Sequence, residues 1–431
     1  MRALAAWLAA LLALAGWPAW AGPVLLISLD GLRSGDVIGN PALPALSALQ
    51  HEGVWADGVL GVWPALTYPS HATLITGASP ARHGIGGNEA FDPTGDNAEG
   101  WMWYAQDLKA DSLWSAARRA GLKTAALNWP VTVGAPIDYN LPQIWRARTE
   151  EDRKLEAALS TPGLRAELEA LTGQPFPLGS DGSCEADARR AAHAAALIAA
   201  KRPDLTALHL ECVDHLQHDF GPGSPQASEG LAQLDAIVGK LIAAARRELP
   251  GLSVVVVSDH GFAPVRTAIN LGRAFREAGL SGTADWRAAV WPMSGSAAVV
   301  LRDPADQAAR AAVRRLLARL ARQPRLGIAR IAEREEIVRH GGSRQAAFWV
   351  LFRPGFSAGG YSDGPLIQRS EIKGTHGYPG EEPAMQALLI ASGPGLAGKS
   401  SLGRIDMRAI APAIAARLEI TLEHAELPAA F

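Results

Sequence analysis

The chain has 431 residues, 41 Lys+Arg against 43 Asp+Glu, and 48% hydrophobic residues. That is enough apolar material for a large core in one large domain or two moderate ones, and it is far from the composition of a disordered chain. A net charge of −2 with no long basic run argues against wrapping nucleic acid.

From the N-terminus, Arg2, the apolar run "ALAAWLAALLALAGW" and the small-x-small site Ala19-Trp20-Ala21 form the parts of a secretory signal peptide. Residues 1–21 are expected to be removed, with secretion, in a bacterium to the periplasm; an uncleaved N-terminal anchor is the alternative. No later run of about 20 apolar residues appears, so nothing else should span a membrane. "VLLISL" (24–29) reads as a buried strand and ends in Asp30-Gly31. "PALTYPSHATLITG" (64–77) reads as the start of a helix. Pro69 suits a first turn, and His71, Leu74 and Ile75 recur at helical spacing. Thr67 stands where that helix begins, beside N–H groups that favour anions. It is either an N-cap or a nucleophile.

"SLWSAARRAG" reads as a helix and "KTAALNW" as the strand after it. The long helix "EADARRAAHAAALIAAKR" leads to the strand "LTALHL", beyond which lie Asp214 and His218. The helix "SEGLAQLDAIVGKLIAAARREL" leads to "LSVVVVS", which ends in Asp259-His260-Gly261. Between about 262 and 375 the texture changes: "SAAVVLRD", "DQAARAAVRRLLARLAR", "ARIAEREEIV" and "FWVLFRPG" suggest a small α+β cap inserted in a catalytic domain spanning 22–431. His376 sits in the loop "THGYPG", ahead of the strand "MQALLIAS" and the helix "MRAIAPAIAARL". Alternating apolar strands and helices predict an α/β fold with a mostly parallel central sheet and helices on both faces. Cys184 and Cys212 are the only cysteines. An oxidising compartment permits a disulfide; two buried thiols fit equally well.

Open parallel sheets bind ligands beyond the C-terminal ends of their strands. Asp30, Asp214, Asp259, His218, His260 and His376 gather three carboxylates and three imidazoles around that edge. Such donors suit Zn²⁺, and also Mn²⁺ or Fe. Six are too many for one tetrahedral ion and suit two ions about 4 Å apart, which clamp the attacking and leaving oxygens of phosphoryl transfer. Singly each has an ordinary reading: a turn at Asp30-Gly31 or Asp259-His260-Gly261, a helix-surface pair at Asp214 and His218, a loop histidine at His376. Their joint placement is the signal. His215 competes with His218. His71 is expected to pack, His193 and His424 lie in helical stretches, and His51, His209 and His340 are read as structural.

The ordered set "ISLDGLR", "WPALTYPSHATLITGASPARHGIGGNEAFDP", "VDHLQHDFGP", "VSDHGF" and "GTHGYPG" closely resembles the nucleotide pyrophosphatase/phosphodiesterase family of the alkaline phosphatase superfamily, over residues 23 to 420. The resemblance implies an alkaline phosphatase-like fold, a Thr nucleophile at Thr67 and two zinc ions. One would be held by Asp30, Thr67, Asp259 and His260, the other by Asp214, His218 and His376; the family's Asp-x-x-x-His spacing selects His218 over His215. It also implies that Asn88 contacts a phosphoryl oxygen and that Tyr68 packs on a nucleobase or leaving group. Trp129, in "LNWP", would line the same pocket more weakly. A zinc on the Thr67 oxygen would activate a hydroxyl that is otherwise a poor nucleophile and lead to a phospho-threonine intermediate. The implied partner is a small phosphodiester or nucleotide; the sequence carries no signal for oligomeric state.

Sulfatases share this scaffold but need Cys/Ser-x-Pro-x-Arg, which "TYPSH" lacks. Phosphoethanolamine transferases usually add membrane helices. A zinc phosphomonoesterase is the serious rival, although a dianionic monoester usually needs a further cation that the sequence does not reveal. A non-catalytic zinc-dependent binding protein is the rival from another class.

Overall fold

Six successive apolar residues leave a strand without a polar face, so Val24–Leu29 (β1) has to lie between two layers. In the computed structural model of the chain all six are buried. The structure describes residues 22–94, 100–146, 149–282, 284–359, 364–396, 398 and 400–431; the expected signal segment 1–21 lies outside the described residues. The main sheet adds β2 (Val54–Trp55), β3 (Thr124–Leu127), β4 (Tyr139–Leu141), β5 (Leu205–Leu210), β6 (Ser253–Val257), β7 (Leu389–Ser392) and β8 (Ser400–Ser401), in the order β8-β2-β7-β6-β1-β5-β3-β4. The central strands run parallel, with Val24 opposite both Leu205 and Ser253. Strand β7 is the antiparallel member of this mostly parallel sheet: it runs antiparallel to β6. The chain enters β7 from the ligand-side loop that carries His376, without a crossover helix to reverse it.

The period-2 geometry of a strand sends alternate side chains to opposite faces. Leu25, Ile27, Leu208, Leu210, Val254 and Val256 therefore join one core, with helices α3 (Cys184–Lys201), α4 (Cys212–Phe220) and α5 (Pro225–Glu248). Leu26, Ala207, Val255 and Val257 join the other, with α1 (Thr67–Thr76), α2 (Leu113–Arg119) and α6 (Ile410–Arg417). Helix α1 ends where Gly77 takes a left-handed conformation (φ 67°) and its N–H bonds the Thr73 carbonyl. His424 lies in a turn rather than a helical stretch, where its Nδ1 accepts from the Asp111 amide.

Past β6 the chain forms two smaller sheets. Ala263–Ile269 is flanked by Gly355–Ala358 and Ile367–Arg369, and also pairs with Gly374–Thr375. A second, antiparallel sheet joins Ile328–Glu333, Ala346–Phe352, Ser296–Leu301 and Ala288–Met293. It shares a core with the helix Gln307–Ala321, through Val313, Leu317, Phe348 and Val350. Because the strand that leaves the main sheet pairs with the segments that return, His260 and His376 come back side by side with their rings stacked 3.7 Å apart.

Cys184 and Cys212, which the sequence left open, are joined in a disulfide that ties the first residue of α3 to the first residue of α4 across 28 residues. A loop of that length corresponds to about 3.5 kcal/mol in the chain-entropy model. We expect Cys184→Ser/Cys212→Ser to lose roughly that much stability in urea unfolding, and reductant to lower the wild type to the same level. Equal midpoints for wild type and variant would show that the crosslink contributes nothing.

Candidate active site

Thr67 is the first residue of α1, and its side chain makes no capping hydrogen bond; the N-cap position belongs to Leu66. The capping reading of Thr67 is therefore not what the fold uses. Its hydroxyl lies 3.4 Å from His260 Nε2, at the edge where β1, β5 and β6 end. The Tyr68 amide donates to Asn88 Oδ1 at 2.9 Å. That bond fixes the flip of the Asn88 amide, with Oδ1 toward the start of α1 and Nδ2 as its remaining donor group.

The three histidines share one arrangement. Nδ1 lies 3.1 Å from the Gly261 carbonyl in His260, 2.9 Å from that of Gly374 in His218, and 3.1 Å from that of Ala65 in His376. A carbonyl only accepts, so each Nδ1 carries the hydrogen and each Nε2 presents a lone pair. This is the outer-shell pattern that prepares histidine for a metal.

The carboxylates are half-engaged in the same way. Asp259 Oδ1 accepts from the amides of Gly31 and His260, while Oδ2 has no hydrogen-bond partner. Asp30 Oδ2 meets His209, while its Oδ1 is unpartnered, as is Oδ1 of Asp214. Gly31 has φ +73°, and a Cβ there would meet the Phe262 ring at 3.0 Å and Asp214 Oδ1 at 3.2 Å, so glycine lets both close in. Buried oxygens without partners are costly unless something else meets them, and this oxygen and nitrogen set fits a metal of the zinc type.

Donor atoms of Asp30, Asp259 and His260 lie within 4.8 Å of one another, and so do those of Asp214, His260 and His376. His260 thus lies between two groups that the sequence separated. His218 joins through Asp214, its Nε2 3.4 Å from Oδ2. His215 turns away and stacks on Trp145 at 5.3 Å.

Burial dominates the proton affinities. It raises Asp30 well above the carboxylate range, helped by the charges of Asp259 and Asp214. It pushes Asp214 up to about 7, with His215 opposing, and raises Asp259, with His71 opposing. Glu211 is pushed up to about 8 by burial, against the pull of Arg190. Burial also drives His260, His376 and His209 well below their ordinary value and lowers His218. Without a cation, this edge favours neutral histidines and protonated acids.

Three sequence expectations change. His209, read as structural, is fully buried with Nε2 3.1 Å from Asp30 Oδ2. It lies on β5 two residues before Glu211, but a lone histidine in an apolar strand carries no signal of what it faces. Tyr68 and Trp129 are fully buried and have no free face for a ligand. Tyr68 packs edge-on against Trp101, and Trp129 packs under His71. The partly exposed aromatic surface is instead a column that the sequence did not reveal. Trp101 stacks on Trp145 at 5.4 Å, and Trp145 stacks on His215. One end of the column touches Tyr68, next to Thr67, and the other adjoins Asp214.

The family model of type I phosphodiesterase / nucleotide pyrophosphatase matches residues 24–379. An uncharacterized pyrophosphatase/phosphodiesterase of Schizosaccharomyces pombe is 26% identical over 389 residues, 86% of this chain and 71% of that protein. Human ectonucleotide pyrophosphatase/phosphodiesterase family member 1 is 28% identical over 56% of this chain, and a venom phosphodiesterase of Naja atra 26% identical over the same share. Those two matches span only 23% and 26% of the relatives' own length. Among solved structures, human ectonucleotide pyrophosphatase/phosphodiesterase 5 has a TM-score of 0.68 at 22% identity, covering 93% of this chain and 95% of that one. The murine protein, as an inactive threonine-to-alanine variant in complex with AMP, has a TM-score of 0.67 at 22% identity and covers 95% and 96%. At these identities the structures share the fold.

Raised acids bind protons more tightly when folded, so their contribution to stability is full below about pH 4 and is lost as pH rises through the folded values of about 7 for Asp214 and about 8 for Glu211. The lowered histidines act oppositely, but only as pH falls below about 6.5. Metal-stripped protein should therefore melt at a lower temperature at pH 8 than at pH 6.5, and zinc should raise the melting temperature more at pH 8. A metal-free protein more stable at pH 8 would contradict this electrostatic account.

Proposed function

The chain belongs to the type I phosphodiesterase/nucleotide pyrophosphatase family of the alkaline phosphatase superfamily, and on that premise we propose that it is a secreted two-zinc hydrolase of phosphodiester or phosphoanhydride bonds with Thr67 as its nucleophile. The observation that carries the reading is the Thr67 hydroxyl, unused as a cap, facing His260 among three unpartnered carboxylate oxygens. Asp30, Thr67, Asp259 and His260 would hold one ion, and Asp214, His218 and His376 the other. Bound there, the ions would supply Lewis acidity, lowering the pKa of the hydroxyl and offsetting charge on the phosphoryl oxygens.

The chain's own groups do the rest. The N-terminus of α1 favours an anionic phosphoryl group over Thr67. Asn88, held by the Tyr68 amide, donates Nδ2–H to a non-bridging oxygen, a contact that strengthens as charge builds there. Oγ1 gives up its proton to solvent and forms a bond to phosphorus, the bond to the leaving oxygen breaks and that oxygen takes up a proton from water, and the phosphoryl group rests on Thr67 until water releases it.

A diester fits better than a monoester. Among the described residues no Lys or Arg forms an ion pair with Asp30, Asp214 or Asp259 or a hydrogen bond with Thr67. The buried Arg190 is committed to Asp187 and Glu211. A dianion would lack its further cation. Trp101 and Trp145 supply stacking surface on the leaving-group side, which favours a nucleotide. The stretch 262–375 would act as a cap. Export rests on the N-terminal segment; among the described residues no helix is long and apolar enough to cross a membrane.

Thr67→Ala should keep its fold and its zinc while diester turnover falls by roughly 10³-fold or more. Turnover within tenfold of wild type would remove Thr67 from the mechanism, and faster wild-type turnover of a chromogenic monoester than of the diester would overturn the diesterase reading. Stacking is worth roughly 1–3 kcal/mol per base, so Trp145→Ala should lower kcat/KM for a nucleotide diester about 5- to 150-fold. A small methyl diester should be nearly unaffected; equal losses for both would place Trp145 in the scaffold.

A further inference from the structure

Behind Asp30 lies a buried polar chain that the chemistry above does not use. His209 meets Asp30 Oδ2 through Nε2 at 3.1 Å. Its Nδ1 lies 3.4 Å from Gln143 Nε2 and 3.2 Å from the Asn128 carbonyl; with an acceptor near each ring nitrogen, an ionised Asp30 claims the hydrogen on Nε2 and the Gln143 amide donates to Nδ1. Gln143 also donates to Glu211 Oε1. Glu211 Oε2 lies 3.1 Å from Arg190 Nη1 and accepts from Asn128 Nδ2 at 3.1 Å. Arg190 is paired with Asp187 at 2.9 Å, and Asp187 in turn accepts from the amides of Glu211 and Cys212. His209, Gln143, Glu211, Arg190 and Asp187 are all buried.

Donor atoms of Asp30, His209 and Glu211 also lie within 4.8 Å of one another, so the cluster has the makings of a third metal group. The charges argue otherwise. Arg190 already places a fixed cation on Glu211, whereas Asp30 Oδ1, Asp214 Oδ1 and Asp259 Oδ2 have no partner. A carboxylate engaged on one oxygen by a rigid donor presents the other at a fixed angle.

We propose that His209 is a positioning residue: it donates Nε2–H to Asp30 Oδ2, anchored from behind by Gln143, Glu211 and Arg190, and so commits Oδ1 of Asp30 to the metal at the nucleophile. The inference rests on the two-metal reading above. It assigns His209 no contact with substrate or ion. The disulfide and Asp187 hold the start of α4 to α3.

The test is zinc binding to the purified mature chain, read as stoichiometry and affinity by chelator competition, with kcat and KM measured alongside. His209→Phe removes the donor and keeps a ring. It should weaken one of the two ions by about 10- to 100-fold, leave the other within threefold, and lower kcat more than it raises KM. His209→Gln, whose Nε2 can reach the same oxygen, should restore affinity to within a fewfold. If Phe blocks folding, His209→Asn, whose amide stops short of Asp30, carries the same expectation. A folded Phe or Asn variant that binds two ions with wild-type affinity would overturn the positioning role while leaving the two-metal reading intact. So would a wild type with three ions that loses one in the variant, since His209 would then be a ligand. A wild type that binds no metal would overturn both.

Discussion

Three buried carboxylates meet at the end of one sheet, and among the described residues no Lys or Arg is paired to any of them. Asp30, Asp214 and Asp259 face histidines, glycine and backbone amides. Burying ionised groups in this way is costly unless positive charge arrives from outside or protons neutralise them. The surroundings leave donor atoms open for the first outcome. Each carboxylate keeps one oxygen without a hydrogen-bond partner, and each of His218, His260 and His376 turns its Nδ1 to a carbonyl and its Nε2 inward.

The fold supplies the confinement that this arrangement needs. Parallel pairing in register brings the ends of β1, β5 and β6 together, so Asp30 and Asp259 just past their strands meet Asp214 in the first turn of α4 after β5. The pairing of Ala263–Ile269 with the returning segments at 367–369 and 374–375 delivers His376 against His260. Helix α1 then lays its N-terminus over the cluster, packed from below by Leu74 and Ile75 in the second core. Thr67 is placed by a helix rather than by a loop, which limits how far its hydroxyl can wander from the donors.

Polarity is divided sharply around the site. On one side a buried network runs from Arg190 to Asp30 and is closed to solvent. On the other, the stacked Trp101, Trp145 and His215 leave part of their surface open.

The order of apolar runs and breaks was enough to read the mostly parallel sheet, its major helices and the gathering of carboxylates and imidazoles around one sheet edge; the choice of His218 over His215 came from the family resemblance. Strand polarity and the rule that ligands gather beyond strand ends follow from local chemistry, and Asp30, Asp214 and Asp259 each follow an unmistakable strand. The sequence also isolated Thr67 at a helix start. It could not show that Leu66 would take the cap position and leave the hydroxyl unused. The family resemblance implied ligand surfaces at Tyr68 and Trp129; burial depends on what folds over them, here Trp101 against Tyr68 and Trp114 against Trp129. His209 looked inert for the converse reason. Its partner Asp30 is 179 residues away, and only the β1–β5 pairing makes them neighbours. The Cys184–Cys212 bond and the antiparallel turn of β7 belong to the same class. The sequence by itself determined which chemistry-bearing groups the chain carries and at which strand ends they stand. Only the tertiary structure decided which of them are enclosed, which atoms stay unpartnered and which aromatic faces remain open, because enclosure depends on contacts between segments far apart in the chain.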